Sequence, residues 1–226
     1  MAVAFVTSNS AIVPDTGTGD HTSSFDAGSA DFMIGIVGYT HGAAARTATM
    51  SFNNTGLVSV ASISSPTTTF TGITLFKWPD NTSFPAAGAH NLTVAMSANA
   101  DDMVYGFMSF SGCHAVQDGT PDTSTGIPIA GTPQPAPSVT GVTDGIVVGA
   151  VCDNAAAASV SPGDTERWEN TSATNNQTTV NVETATFVGS GTMDWTCANF
   201  VNWAAAAFPI KPAAASSVNS GFFMVM

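Results

Sequence analysis

Positive charge is what this chain has least of. Of 226 residues only 4 are Lys or Arg, against 16 Asp or Glu, and the formal net charge is -12. So few cations supply no footprint for a nucleic-acid backbone and none for an anionic lipid surface. Charged residues of either sign make up only 9% of the chain, so the Glu- and Lys-rich faces of exposed helices are missing too. Cysteine is scarce and odd in number: Cys113, Cys152 and Cys197. A small disulfide-framed fold needs more of it, and no closely spaced pair offers a zinc site. The three are expected as buried free thiols, with a Cys152–Cys197 bridge as the alternative. No run of about 18 apolar residues occurs, so no membrane-spanning helix is expected. Residues 1–6 lack a basic start followed by a long apolar core, so export through a signal peptide is not expected either.

What is present is Thr, Ser, Ala, Val and Gly in short runs, cut by Gly, Pro, Asn or Asp roughly every 8–12 residues. Residues 32–39, 103–110 and 145–152 are apolar on both faces, as central strands of stacked sheets are. Residues 47–52 and 57–63 alternate with period two, and Asn53-Asn54-Thr55-Gly56 between them is hairpin chemistry. The Ala204–Ala207 tetrad favours helix by propensity, but it is too short to nucleate one and lies between Trp203 and Phe208. It is assigned to a strand. About a dozen strands result, which predicts an all-β, jelly-roll-like antiparallel sandwich of two stacked sheets. One domain is expected over residues 1–212. Within it, residues 111–138 form a proline-rich excursion that holds Pro121, Pro128, Pro133, Pro135 and Pro137. Residues 213–226 read as a linker and an apolar tail.

Catalytic chemistry has little support. The chain has three glutamates, Glu166, Glu169 and Glu183. A glycosidase needs two carboxyl groups on one site, and the odd spacing of Glu166 and Glu169 sends them to opposite faces of a regular strand. His21, His41, His90 and His114 show no HExxH pattern, and no GxSxG elbow occurs. No enzyme activity and no cofactor are expected. Calcium has weak support from Asp101-Asp102 and from the turn between Asp15 and Asp20. Among the tryptophans, Trp195 and Trp203 read as core. Trp78 and Trp168 lie at a strand end and among charges; packing into the body is the first reading of each, and exposure as a platform for sugar stacking is the alternative. The apolar stretch Phe222, Phe223, Met224, Val225 and Met226 needs cover in water. It reads either as a last strand on the chain's own sheet or, with Phe5 on the first strand, as a contact with a partner.

Several segments taken together resemble a group of β-sandwich domains found in phage particle proteins and in secreted bacterial proteins. They are residues 31–39, 88–94, 106–112, 144–148, 165–168 and 203–212, and they cover most of residues 20–212 in order. The resemblance implies the jelly-roll-like sandwich and carries over no catalytic residue. With no export signal expected, a phage particle protein fits better than a secreted one. The expectation is therefore a structural virion protein, a capsid decoration or cement protein on the particle exterior, assembled in the host cytoplasm. Its partners would be its own copies, as a trimer or another cyclic oligomer, and a capsid or other virion protein. The alternative is a carbohydrate-binding module, secreted or part of a fibre or spike, that takes a host surface glycan.

Overall fold

The computed structural model describes residues 1–14, 19–42, 44–66, 69–126, 134–155, 159–160, 164–172, 177–197 and 202–214. Every regular element among them is a strand. In the first half of the chain these are β1 (Ala4–Pro14), β2 (Asp20–Asp26), β3 (Phe32–His41), β4 (Ala48–Phe52), β5 (Thr55–Gly56), β6 (Val58–Ser64), β7 (Phe70–Lys77), β8 (Ala89–Met96) and β9 (Asp102–Ser111). The second half holds β10 (Asp122–Gly126), β11 (Ser138–Gly141), β12 (Ile146–Asp153), β13 (Ser159–Val160), β14 (Thr165–Ser172), β15 (Thr178–Ala185), β16 (Gly189–Thr192), β17 (Trp195–Thr196) and β18 (Trp203–Ile210).

Each half builds its own five-stranded antiparallel sheet, β1-β9-β3-β7-β6 and β10-β18-β12-β15-β14. The two orders are the same order. In each half the first strand pairs with the last, and the strands that follow fall in equivalent places. The register agrees residue by residue. One row across the first sheet runs Asn9, Phe107, Gly35, Phe76, Ser59. Its counterpart in the second runs Asp122, Ala207, Gly149, Glu183, Glu166. Even the irregularity recurs: the ladder shifts between Ser59 and Ala61 in β6, and between Glu166 and Trp168 in β14. Such a β-bulge adds one residue to one strand and reverses the facing of everything beyond it. The chain is an internal structural duplication.

The all-β antiparallel sandwich class is as expected, but the layer count differs. An outer sheet, β2-β8-β4-β5, covers one face of the first central sheet; the short pairs β11-β16 and β13-β17 cover the far face of the second. The two central sheets pack on each other, so there are four layers and not two. One core draws on both halves: Ile34, Ile36, Val104, Met108 and Phe110 meet Val148, Ala150, Val180, Val182 and Phe208. A second, smaller core gathers Val147, Val151, Met193, Trp195, Trp203 and Ala205 beneath the second outer layer. Each fully buried side chain of this kind stabilises by roughly 1.5–3 kcal/mol. Two-sided burial explains the doubly apolar runs, since β3, β9, β12 and β18 are covered on both faces.

Two local readings change. Asn53 and Asn54 do turn with positive φ (47° and 61°), as a two-residue hairpin requires. The return arm is only β5, however, and the chain then crosses to pair β6 with β7 in the other sheet. The proline-rich segment is not wholly irregular either, because β10 lies inside it and forms the edge of the second central sheet against the alanines of β18. The apolar tail from Phe222 to Met226 lies outside the described residues.

Candidate functional site

Loops from both halves meet at one pole, and three clefts lie there in a row. The first is lined by Asp31, Trp78, Asn81, Ser83, Phe84 and His114. The second shares His114 and adds Val116, Val142, Lys211 and Pro212. The third shares Val142 and adds Val3, Asp144, Phe187 and Val188. Both ends of the described chain are pinned at this pole. The Val3 N–H donates to the Asp144 carbonyl at 2.8 Å, and the Ala213 N–H to the Gly112 carbonyl at 2.7 Å.

Gln117 holds the pole together. It is 1% exposed, and its side chain donates to the carbonyls of His114 (2.8 Å) and Lys211 (3.0 Å) and accepts from the Lys211 N–H at 2.7 Å. Its carbonyl and Asp80 share the buried Lys77 ammonium, each at 2.6 Å, and its N–H donates to Asp80 at 2.9 Å. Burial pushes the Asp80 carboxyl up, but the Gln117 N–H and Lys77 outweigh it and hold the group below its ordinary value. Lys211 pairs with Asp118 across the second cleft. Half of the chain's four Lys and Arg residues are therefore committed to this pole.

The second notable cluster is acidic. All three glutamates and Asn181 converge on the outer face of the second central sheet. Asn181 donates to Glu166 at 2.9 Å and Glu169 at 3.4 Å, and accepts from the Trp195 indole at 3.3 Å. The odd spacing of Glu166 and Glu169 misleads because the β14 bulge falls between them. A period-two count has no means of seeing a bulge, so this gathering was not legible in the residues alone.

Trp78 and Trp168 are packed, and the sugar-stacking alternative is contradicted. Trp78 is 3% exposed and donates its indole N–H to the Thr82 carbonyl, with Phe84 against its ring at 4.9 Å. Trp168 is 9% exposed and belongs to the shared core. Neither presents a free face for a sugar, because the bulge turns Trp168 inward and the 78–84 loop folds over Trp78. Trp195 and Trp203 are core, as expected. Phe5 is half-buried at the seam between β1 and β14, edge-on to Phe110 at 6.1 Å and capped by the Arg167 guanidinium at 4.0 Å.

Cys113, Cys152 and Cys197 are all free thiols, so no Cys152–Cys197 bridge forms. Asp101 and Asp102 do not converge on an ion. Asp101 receives His41 and the Gly42 N–H, whereas Asp102 is buried between the sheets and accepts from Ser172 at 2.7 Å. Between Asp15 and Asp20, only residues from 19 onward are described. Among the described residues no three His, Cys, Asp or Glu side chains are placed to hold a metal ion. Compared with protein-family models, with curated proteins and with solved structures, the chain finds no match.

Proposed function

We propose that this chain is a structural protein of a virus particle, a decoration or cement protein on the exterior of a phage capsid. The observation that carries the reading is the pole. The described residues end at Ala214, beside the row of three clefts, and the residues that follow in sequence include Phe222 to Met226. A four-layer block whose last described residue lies at one end, followed in sequence by an apolar stretch, suits a part that seats on a larger assembly. Contacts of that kind work by burying apolar area. Its own copies and a capsid protein are the partners this reading names.

The test is particle binding. Full-length protein mixed with capsids lacking it should co-sediment with them, and a variant truncated after Ala214 should not, while both melt at the same temperature. Equal co-sedimentation of the two would refute the role of the extension. Failure of both to bind would refute the virion reading.

A second reading, glycan binding, draws on the first cleft. It measures about 410 Å³, within the ~300–1,000 Å³ of small-molecule sites. It offers the exposed polar residues Asn81, Thr82 and Ser83 rather than a flat tryptophan face. A glycan array that returns a ligand lost on Asn81→Ala would favour it.

A further inference from the structure

The duplication makes one position stand out. Where the first central sheet places Phe76, buried in the core, the second places Glu183. Glu183 has no solvent exposure, and neither of its carboxyl oxygens has a hydrogen-bond partner. Carboxyls surround it. Glu166 is its cross-strand neighbour on β14, and Asp164 ahead of β14 and Asp194 ahead of β17 also act on it. Glu169 on β14 and Asp153 on β12 lie further along the same face, with the Cys197 thiol against Asp153. No cation faces them. Lys77 and Lys211 are held at the pole and Arg46 at His41. Arg167 turns to the opposite face, onto Thr184 and Phe5. His21, His41 and His90 lie in the first half of the chain, and His114 lines the clefts at the pole.

A carboxylate buried without cation or donor is strongly unfavourable, and such a group keeps its proton instead. We propose that Glu183 stays protonated among these carboxyls, forming a pH-sensitive clasp that holds edge strand β14 and the approach to β17 against the sheet. Asp164 and Asp194 enter from separate loops, so ionising Glu183 sets like charges against both at once. Burial first, and then the charge of Asp164, push the Glu183 carboxyl up to about 8. Asp153, mainly through burial, stands at about 7.

The sign follows from linkage. The folded chain keeps a proton that the unfolded chain releases near the ordinary glutamate value of 4.5. The stabilisation is complete below that pH, declines as pH rises, and is gone by about pH 8. Asp153 acts in the same direction but finishes lower, by about pH 7.

Three measurements decide it. The side-chain carbon-13 shift of Glu183 in the wild-type protein should titrate far above the glutamate range. The melting temperature should fall between about pH 5 and pH 8, and Glu183→Gln should flatten the upper part of that fall because its amide stays neutral at every pH. Asp153→Asn should leave the upper part intact. Amides of β14 should lose protection above pH 8 in the wild type more than in Glu183→Gln. A normal glutamate titration overturns the clasp, whether or not Glu183→Gln folds. So does an unchanged pH slope in Glu183→Gln. Restoration of wild-type stability at pH 8.5 by millimolar calcium, absent in Glu183→Gln, also overturns it, because a cation and not a proton would then be the occupant.

Discussion

Gly38→Ala tests the stacking of the two halves most directly. A Cβ at Gly38 would lie 2.2 Å from a Val180 methyl and 3.0 Å from the Cys152 sulfur, both on the opposite central sheet. Carbon atoms prefer about 3.5–4.0 Å, so the sheets must part or Val180 must leave its rotamer. Overpacking of this kind costs roughly 1–3 kcal/mol, and a contact this short between two central strands belongs at the upper end. Alanine also restricts the unfolded chain, which returns roughly 0.4–1 kcal/mol. The net expectation is a loss of about 2 kcal/mol, or about 4–8 °C in melting temperature for a chain of this size. Gly35→Ala is the control. Its Cβ would also meet an atom at 2.2 Å, but that atom is the Met50 sulfur on the outer layer of the same half. A flexible thioether can swing aside, so the loss should stay below about 1 kcal/mol. Urea unfolding of both variants, and of each with Val180→Ala, completes the cycle. Removing the Val180 methyls should relieve Gly38→Ala, giving a coupling above about 1 kcal/mol, and should not relieve Gly35→Ala. Additivity of Gly38→Ala and Val180→Ala within about 0.5 kcal/mol would refute the face-to-face packing of the halves.

Two further outcomes are expected. Asp80→Asn leaves the buried Lys77 ammonium with the Gln117 carbonyl as its remaining strong partner, and should cost about 1.5–3 kcal/mol in urea unfolding at pH 7. The wild-type Asp80 carboxyl sits below its ordinary 3.8. Its stabilisation is therefore present above that pH and is lost as pH falls through the lower folded value, so Asp80→Asn should remove part of the acid sensitivity below pH 4. Thiol titration without reductant should count three sulfhydryls after unfolding. The native protein should react slowly, because burial raises the thiols of Cys113, Cys152 and Cys197. Two thiols fewer after unfolding would mean that a bridge exists.

The strand content was legible because strand chemistry is local. The doubly apolar runs became β3, β9 and β12, and the alanine tetrad became part of β18. What could not be read was how many sheets those strands make, since two-faced burial looks the same in a two-layer and in a four-layer stack. The duplication was hidden for a related reason. Equivalent positions share a facing and a neighbour, not a residue: Asn9 matches Asp122, Phe107 matches Ala207, and Ser59 matches Glu166. The acidic cluster and the inward facing of Trp168 beside it are hidden together. Both depend on one extra residue in β14, and a bulge without a glycine leaves no mark in the sequence.

That same bulge ties the acidic face to the core. In β14 it lets Glu166 and Glu169 share the outer face, with Trp168 between them pointing into the shared core. Trp168 fills the place that Ala61 occupies in β6, opposite Val182 where Ala61 opposes Leu75. The second half thus carries a larger core residue than the first at one point of the edge strand, and an acidic residue in place of Phe76 at the next row. Packing alone favours an apolar residue at that row, because a buried carboxyl without partners gains nothing from the core around it. Retaining the edge-strand bulge in both halves, in β6 and in β14, while reversing the chemistry beside it makes the fold the shared part. The second half's outer face is then where the two units part in their response to pH.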